Sequence, residues 1–116
     1  MQSEPIVIAT TERGRIAVSP DAITQIVGAA AAESYGVVAL AGRGRLSRLV
    51  PWGIKKGVDV EVGPDGLAIQ LRIVVEHGLK LGEVAETVRS RVKYELERMI
   101  GLPIASLEVH IEGVRH

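Results

Sequence analysis

Between Leu67 and Val75, apolar residues occupy every second position. Leu67, Ile69, Leu71, Ile73 and Val75 alternate with Ala68, Gln70, Arg72 and Val74, the period of a half-buried β-strand. Val58, Val60 and Val62 alternate with Asp59, Glu61 and Gly63 in the same way. Gly63-Pro64-Asp65-Gly66 lies between the two runs. Pro presets one turn angle and Gly permits a positive one, so the pattern predicts a hairpin. From Leu81 to Ile100 the period becomes helical. Leu81, Val84, Ala85, Val88, Val92, Leu96, Met99 and Ile100 form one stripe, opposite a charged face. Arg91 with Glu95 and Lys93 with Glu97 stand at i,i+4 on that face. Gly101 and Pro103 stop the helix. Leu107, Val109 and Ile111 then alternate with Ser106, Glu108, His110 and Glu112, predicting a last strand.

The N-terminal part is less regular. Ile6-Val7-Ile8 and the run Arg15 to Val18 read as two short strands around Thr11-Glu12-Arg13-Gly14. Ser19-Pro20-Asp21 is a helix start, with Ser as cap, Pro at the first position and Asp complementing the dipole. The helix is expected to run to about Ser34, with Ile23, Ile26, Val27 and Ala30 on one face. Its stretch Gly28 to Ala32 has little bulk and permits close packing. Gly36 is its stop, and Val37 to Leu40 reads as a short strand.

These elements predict an α+β fold. It is a two-layer domain, a mostly antiparallel sheet of three to five strands with two helices on one face. Residues 1–116 are expected to form one domain. The last hairpin, helix and strand fit a split βαβ unit with a right-handed crossover, and strand order stays open. The sheet's other face would carry Asp59, Glu61, Gln70, Arg72, Glu76, Glu108, His110 and Glu112. It is predominantly acidic and reads first as a solvated face. The sharper reading is a docking face for a basic partner, with Asp59, Glu61, Glu76, Glu108 and Glu112 as its contacts.

Positions 42–57 break the pattern. Arg43, Arg45, Arg48, Lys55 and Lys56 surround Trp52, with several glycines, Pro51 and no acid. The segment reads as a long loop with room for a short helix over Leu46 to Val50. Its functional reading is a partner contact anchored by Trp52. Its bland reading is a solvated loop with Trp52 folded onto its own domain. Attraction there would be salt-sensitive and would read no sequence.

Composition narrows the chemistry. Lys plus Arg and Asp plus Glu each total 14 in the 116 residues, so the formal net charge is zero. Neutrality argues against a nucleic-acid binder driven by overall charge. Cys is absent, which removes disulfides, zinc ribbons and thiolate nucleophiles. His77, His110 and His116 stand in no metal-ligand spacing. His110 flanked by Glu108 and Glu112 would hold a cation weakly at best. Ser19, Ser34, Ser47, Ser90 and Ser106 lack a nucleophile elbow or triad setting. Gly63 to Gly66 is an acidic turn and not the basic GxxG loop of a KH domain. Gly42-x-Gly44 lacks the third glycine of a dinucleotide fingerprint. No aromatic residue falls on the expected outer sheet face, so no base-stacking platform is predicted. No catalytic, cofactor or metal residue is therefore assigned, and no small-molecule substrate is evident. No stretch has the length of a signal core or membrane span, so the expected location is the cytoplasm.

The chain resembles the alkaline shock protein family of envelope stress response proteins. The resemblance rests on Gly14-Arg15-Ile16-Ala17-Val18-Ser19-Pro20-Asp21, Ala32-Glu33-Ser34-Tyr35-Gly36-Val37 and Gly57-Val58-Asp59-Val60. It continues through Ile73-Val74-Val75-Glu76-His77-Gly78, Glu83-Val84-Ala85-Glu86-Thr87-Val88 and Val109-His110-Ile111-Glu112-Gly113-Val114, covering about residues 12 to 115. The order and spacing of these motifs carry the likeness. It departs where Gly82 stands in place of a common Pro, and in the variable segment 42–57. The resemblance implies no catalysis and no cofactor. It implies a homo-oligomer and a small membrane-anchored protein partner that brings the chain to the inner face of the membrane. Two other readings stand beside it: an RNA-binding adaptor using the basic loop, which is the weaker, and an accessory protein of a fatty-acid kinase system.

Overall fold

The computed structural model describes residues 6–41 and 57–116. The basic loop and the short helix expected within it lie outside the described residues.

The α+β architecture is observed. Strands β1 (Ile6–Thr11) and β2 (Gly14–Val18) form an antiparallel hairpin that is a sheet of its own. Ile6 and Val18 pack against the core, while Val7 and Ile16 stand exposed. Helix α1 (Pro20–Ala32) follows. The Ser19 hydroxyl oxygen accepts from the Ala22 N–H at 3.1 Å, so the predicted cap is made. The helix ends at Ala32, two residues before Ser34. Ser34 turns back and donates its hydroxyl to the Ala30 carbonyl at 2.9 Å, a bond that satisfies its buried oxygen.

Strands β3 (Val37–Leu40), β4 (Val58–Gly63), β5 (Gly66–Glu76) and β6 (Ile104–Arg115) form the main sheet. β5 is its centre. β4 pairs antiparallel with the first half of β5, Val58 opposite Leu71 and Gly63 opposite Gly66. β3 pairs antiparallel with the second half, Val37 opposite Val75 and Leu40 opposite Ile73. β3 and β4 thus share one edge of β5 and run in the same direction along it. β6 lies parallel along the other edge. Because β6 pairs directly with β5, the unit is a βαβ of adjacent strands and not the split form.

Helix α2 (Leu81–Met99) connects β5 to β6. Lys80 caps it without a side-chain bond. At its end the N–H groups of Ile100 and Gly101 both donate to the Leu96 carbonyl. β6 begins at Ile104, earlier than the alternation indicates. The Pro103 carbonyl accepts from the Leu67 N–H at 3.0 Å, tying the approach to the strand to the start of β5.

The core lies between the helices and one sheet face. Ile23, Val27, Ala30 and Ala31 of α1 and Val84, Val88, Val92 and Leu96 of α2 meet Leu67, Ile69, Leu71, Ile73 and Val75 of β5. All five β5 residues are 1 % exposed or less. Burying each such aliphatic side chain contributes roughly 1.5–3 kcal/mol before entropy is subtracted.

Candidate partner-binding surface

Because period 2 sends alternate residues to opposite faces, the helix-free face of the sheet is fixed by register. Ala68, Gln70, Arg72, Val74 and Glu76 of β5 point there. β4 adds Glu61 beside Ala68 and Asp59 beside Gln70. β6 adds Ser106, Glu108, His110 and Gly113, opposite Ala68, Gln70, Arg72 and Val74.

The face is more mixed in charge than the sequence pattern indicates. An irregularity between Ile111 and Gly113 leaves Glu112 without a directly opposed residue on β5, and it shifts the phase so that Arg115 stands opposite Glu76. Arg72 donates to the Asp59 carboxylate at 2.8 Å, and only 13 % of its side chain is exposed. Arg72 Nε is buried without a hydrogen-bond partner among the described residues. Glu108 Oε1 lies 3.1 Å from His110 Nε2. Asp59, Glu61 and Glu108 collect at one end of the face, and Glu76 lies at the other.

A depression of about 630 Å³ crosses the β4 edge at that first end. Asp21 and Thr24 of α1, Asp59 and Glu61 of β4, Gln70 and Glu108 line it. Its polar walls suit a polar or basic contact and not an apolar ligand. Among the described residues no group of His, Asp and Glu is arranged to hold a metal ion. His77 stacks on His116 with ring centroids 4.0 Å apart.

The other sequence candidates sort differently. Arg43, Arg45, Arg48, Trp52, Lys55 and Lys56 lie outside the described residues. The two ends of their segment are placed, however. The Ala41 N–H donates to the Arg72 carbonyl, and the Arg72 N–H donates to the Gly57 carbonyl, both at 2.8 Å. The segment's two ends therefore meet the sheet at one residue of β5. The low-bulk stretch Gly28 to Ala32 is used within the chain, where Gly28, Ala30 and Ala31 are buried. Arg91 pairs with Glu33, just beyond α1, at 3.0 Å and not with Glu95, which takes Arg98 at 2.9 Å. No ion pair joins Lys93 to Glu97 among the described residues. Tertiary packing brings the end of α1 within reach of Arg91, and helical spacing alone does not encode that.

Residues 8–116 match the alkaline shock protein 23 family, described as having a cell envelope-related function. The chain belongs to this family. The match covers nearly the whole chain and agrees with the resemblance carried by the motifs. Relatives include the uncharacterized protein YloU of Bacillus subtilis, 32 % identical over 110 residues, with 90 % of this chain and 92 % of that protein covered. The uncharacterized protein Spy1614 of Streptococcus pyogenes is 31 % identical over 110 residues, with 90 % and 91 % covered. A stress response regulator gls24 homolog of Streptococcus pyogenes is 27 % identical over 107 residues, covering 89 % of this chain and 60 % of that protein. Among solved structures, the MamM CTD copper form superposes with a TM-score of 0.59 at 18 % identity, covering 84 % of this chain and 87 % of that one. That likeness establishes the fold alone. No described helix is long and apolar enough to cross a membrane.

Proposed function

We propose that this chain is a non-catalytic assembly module of the cell envelope stress response, which associates with copies of itself and docks a membrane-anchored protein. The observation that carries the reading is the one-sided layering of the fold. Both helices cover the same sheet face, and no described helix covers the opposite one, which carries Asp59, Glu61 and Glu108 beside a polar depression. Arg43, Arg45, Arg48, Lys55 and Lys56 supply the opposite sign, and Trp52 supplies an apolar anchor. Contact between the basic segment of one copy and the acidic face of the next is heterologous, so it builds rings or filaments. The family's envelope-related role supports a membrane-side partner, and no catalytic constellation among the described residues competes with this reading.

The test is membrane fractionation of the native host, followed by crosslinked capture of the tagged chain. The chain is expected in the membrane-associated fraction, crosslinked both to itself and to a protein that carries a membrane span. A chain found only in the soluble fraction and crosslinked to no spanning protein would contradict the docking role.

A further inference from the structure

Among the described residues β6 is paired on one side only, by β5, along its 12 residues. Its other side presents a row of backbone N–H and C=O groups. Little blunts this edge. Ile104 to Arg115 contains no proline and no lysine. Its irregularities fall at Ala105 and Glu112, and the stretch Ser106 to Ile111 between them is regular. Leu107, Val109 and Ile111 point to the helix layer yet remain only half-buried, whereas the opposing Ile69, Leu71 and Ile73 are fully covered. Helix α2 packs over this strand and joins these residues to the core, but it leaves their outer flank open.

The regular stretch is self-complementary. Laid antiparallel against a second copy about Val109, Leu107 faces Ile111 and Val109 faces its own counterpart on the helix side. On the other side each Glu108 faces His110. Moving the axis to Glu108 sets Glu108 against itself, and moving it to His110 sets Glu108 against Glu112. Of these three registers, only that about Val109 joins the apolar stripes and also pairs a carboxylate with an imidazole N–H twice within the regular stretch. The contact between Glu108 and His110 within one chain can be exchanged for the cross-strand one. Their side chains are 58 % and 48 % exposed, and their mutual contact uses one atom of each.

We propose that β6 is a dimer edge at which two copies pair antiparallel about Val109, joining two four-stranded sheets into one with all helices on the same side. The contact is isologous. It rests on the self-association reading above but uses a different surface from the basic segment.

Two variants with opposite charge test it. Glu108→Lys with His110→Lys makes both facing positions basic, and His110→Glu makes both acidic. Each should dissociate at about tenfold higher concentration than the wild type, since attractive cross-strand pairs become repulsive. An equimolar mixture should recover a heterodimer, which a folding defect would not do. A second measurement uses the absence of cysteine from the chain. Val109→Cys places two thiols across the axis, within disulfide reach, and mild oxidation should give a covalent dimer. Wild-type self-association with no Val109→Cys crosslink and no recovery on mixing overturns the edge and leaves the proposed function standing. A wild-type chain that stays monomeric at all concentrations overturns both.

Discussion

Ala41 and Gly57 lie against each other across the gap between β3 and β4. A Cβ at Gly57 would sit 2.6 Å from the Ala41 carbonyl oxygen and 2.7 Å from that of Arg72, and Gly57 has φ +78°. β3 and β4 therefore act as one edge strand, opened at a single rung to admit positions 42–56. The ends of positions 42–56 are thus held side by side, and the ladder continues on either side.

Gly57→Ala should thus destabilise the chain by at least about 2 kcal/mol, combining a strained left-handed backbone with overlap onto two carbonyls. Gly78→Ala is the control. Gly78 has φ +95° with nothing within 4 Å of its added Cβ, so only the conformational cost, roughly 1 kcal/mol, should appear. Urea unfolding of both variants checks the difference.

Leu71 is fully buried at the middle of β5. Leu71→Ala should cost about 2–5 kcal/mol, through lost transfer energy and a residual cavity. Val62, on the same sheet face but 48 % exposed at the end of β4, should cost under about 1 kcal/mol when truncated to Ala. Equal losses at the two sites would contradict the placement of the core.

The core is legible in the sequence because it depends on local period. Leu67 to Val75 and Val84 to Leu96 declare their inward faces by spacing alone, and the observed buried set follows them. Pairing is not local. Nothing in the alternation of Val37 to Leu40 or Val58 to Val62 reveals that both segments share one edge of β5. Glu112 fits the alternation of its strand, yet the irregularity there changes the phase and brings Arg115 onto the helix-free face. Arg91 likewise reaches Glu33 through helix packing, which spacing within one helix cannot anticipate. The acidic candidates Asp59, Glu61 and Glu108 come together because β4 and β6 flank β5, a consequence of topology.

The two helix starts differ in a way that stability measurements can read. Ser19→Ala removes the cap bond to Ala22 and should cost about 1 kcal/mol. Lys80 offers no such bond, but Glu83 stands three residues on. Lys80→Ser would create a Ser-x-x-Glu capping box and should stabilise the chain by about 0.5–1 kcal/mol. Thermal unfolding of the two variants should move the midpoint in opposite directions.

On the exposed face of α2, a hydrogen bond from Arg89, reinforced by its charge, holds the Glu86 carboxyl below its ordinary pKa. The folded-state value is the lower one, so any stability from this pair is present above the ordinary carboxylate pKa. It is lost as pH falls through the lowered value. Carboxyl NMR titration should place the Glu86 midpoint below that of an unpaired glutamate, and Arg89→Ala should bring it back up. A midpoint unchanged by Arg89→Ala would show that the pair does not form in solution.

Self-association is what the proposed role most depends on, and sedimentation velocity of the intact chain tests it most directly. At low salt the wild type should sediment as species larger than the 12.4 kDa monomer, and these should shrink as salt screens the contact. The Arg43→Glu, Arg45→Glu, Arg48→Glu variant should form smaller assemblies under the same conditions. A variant with an unchanged profile would contradict the role given to the basic segment. A wild type that sediments as the monomer throughout would contradict self-association itself.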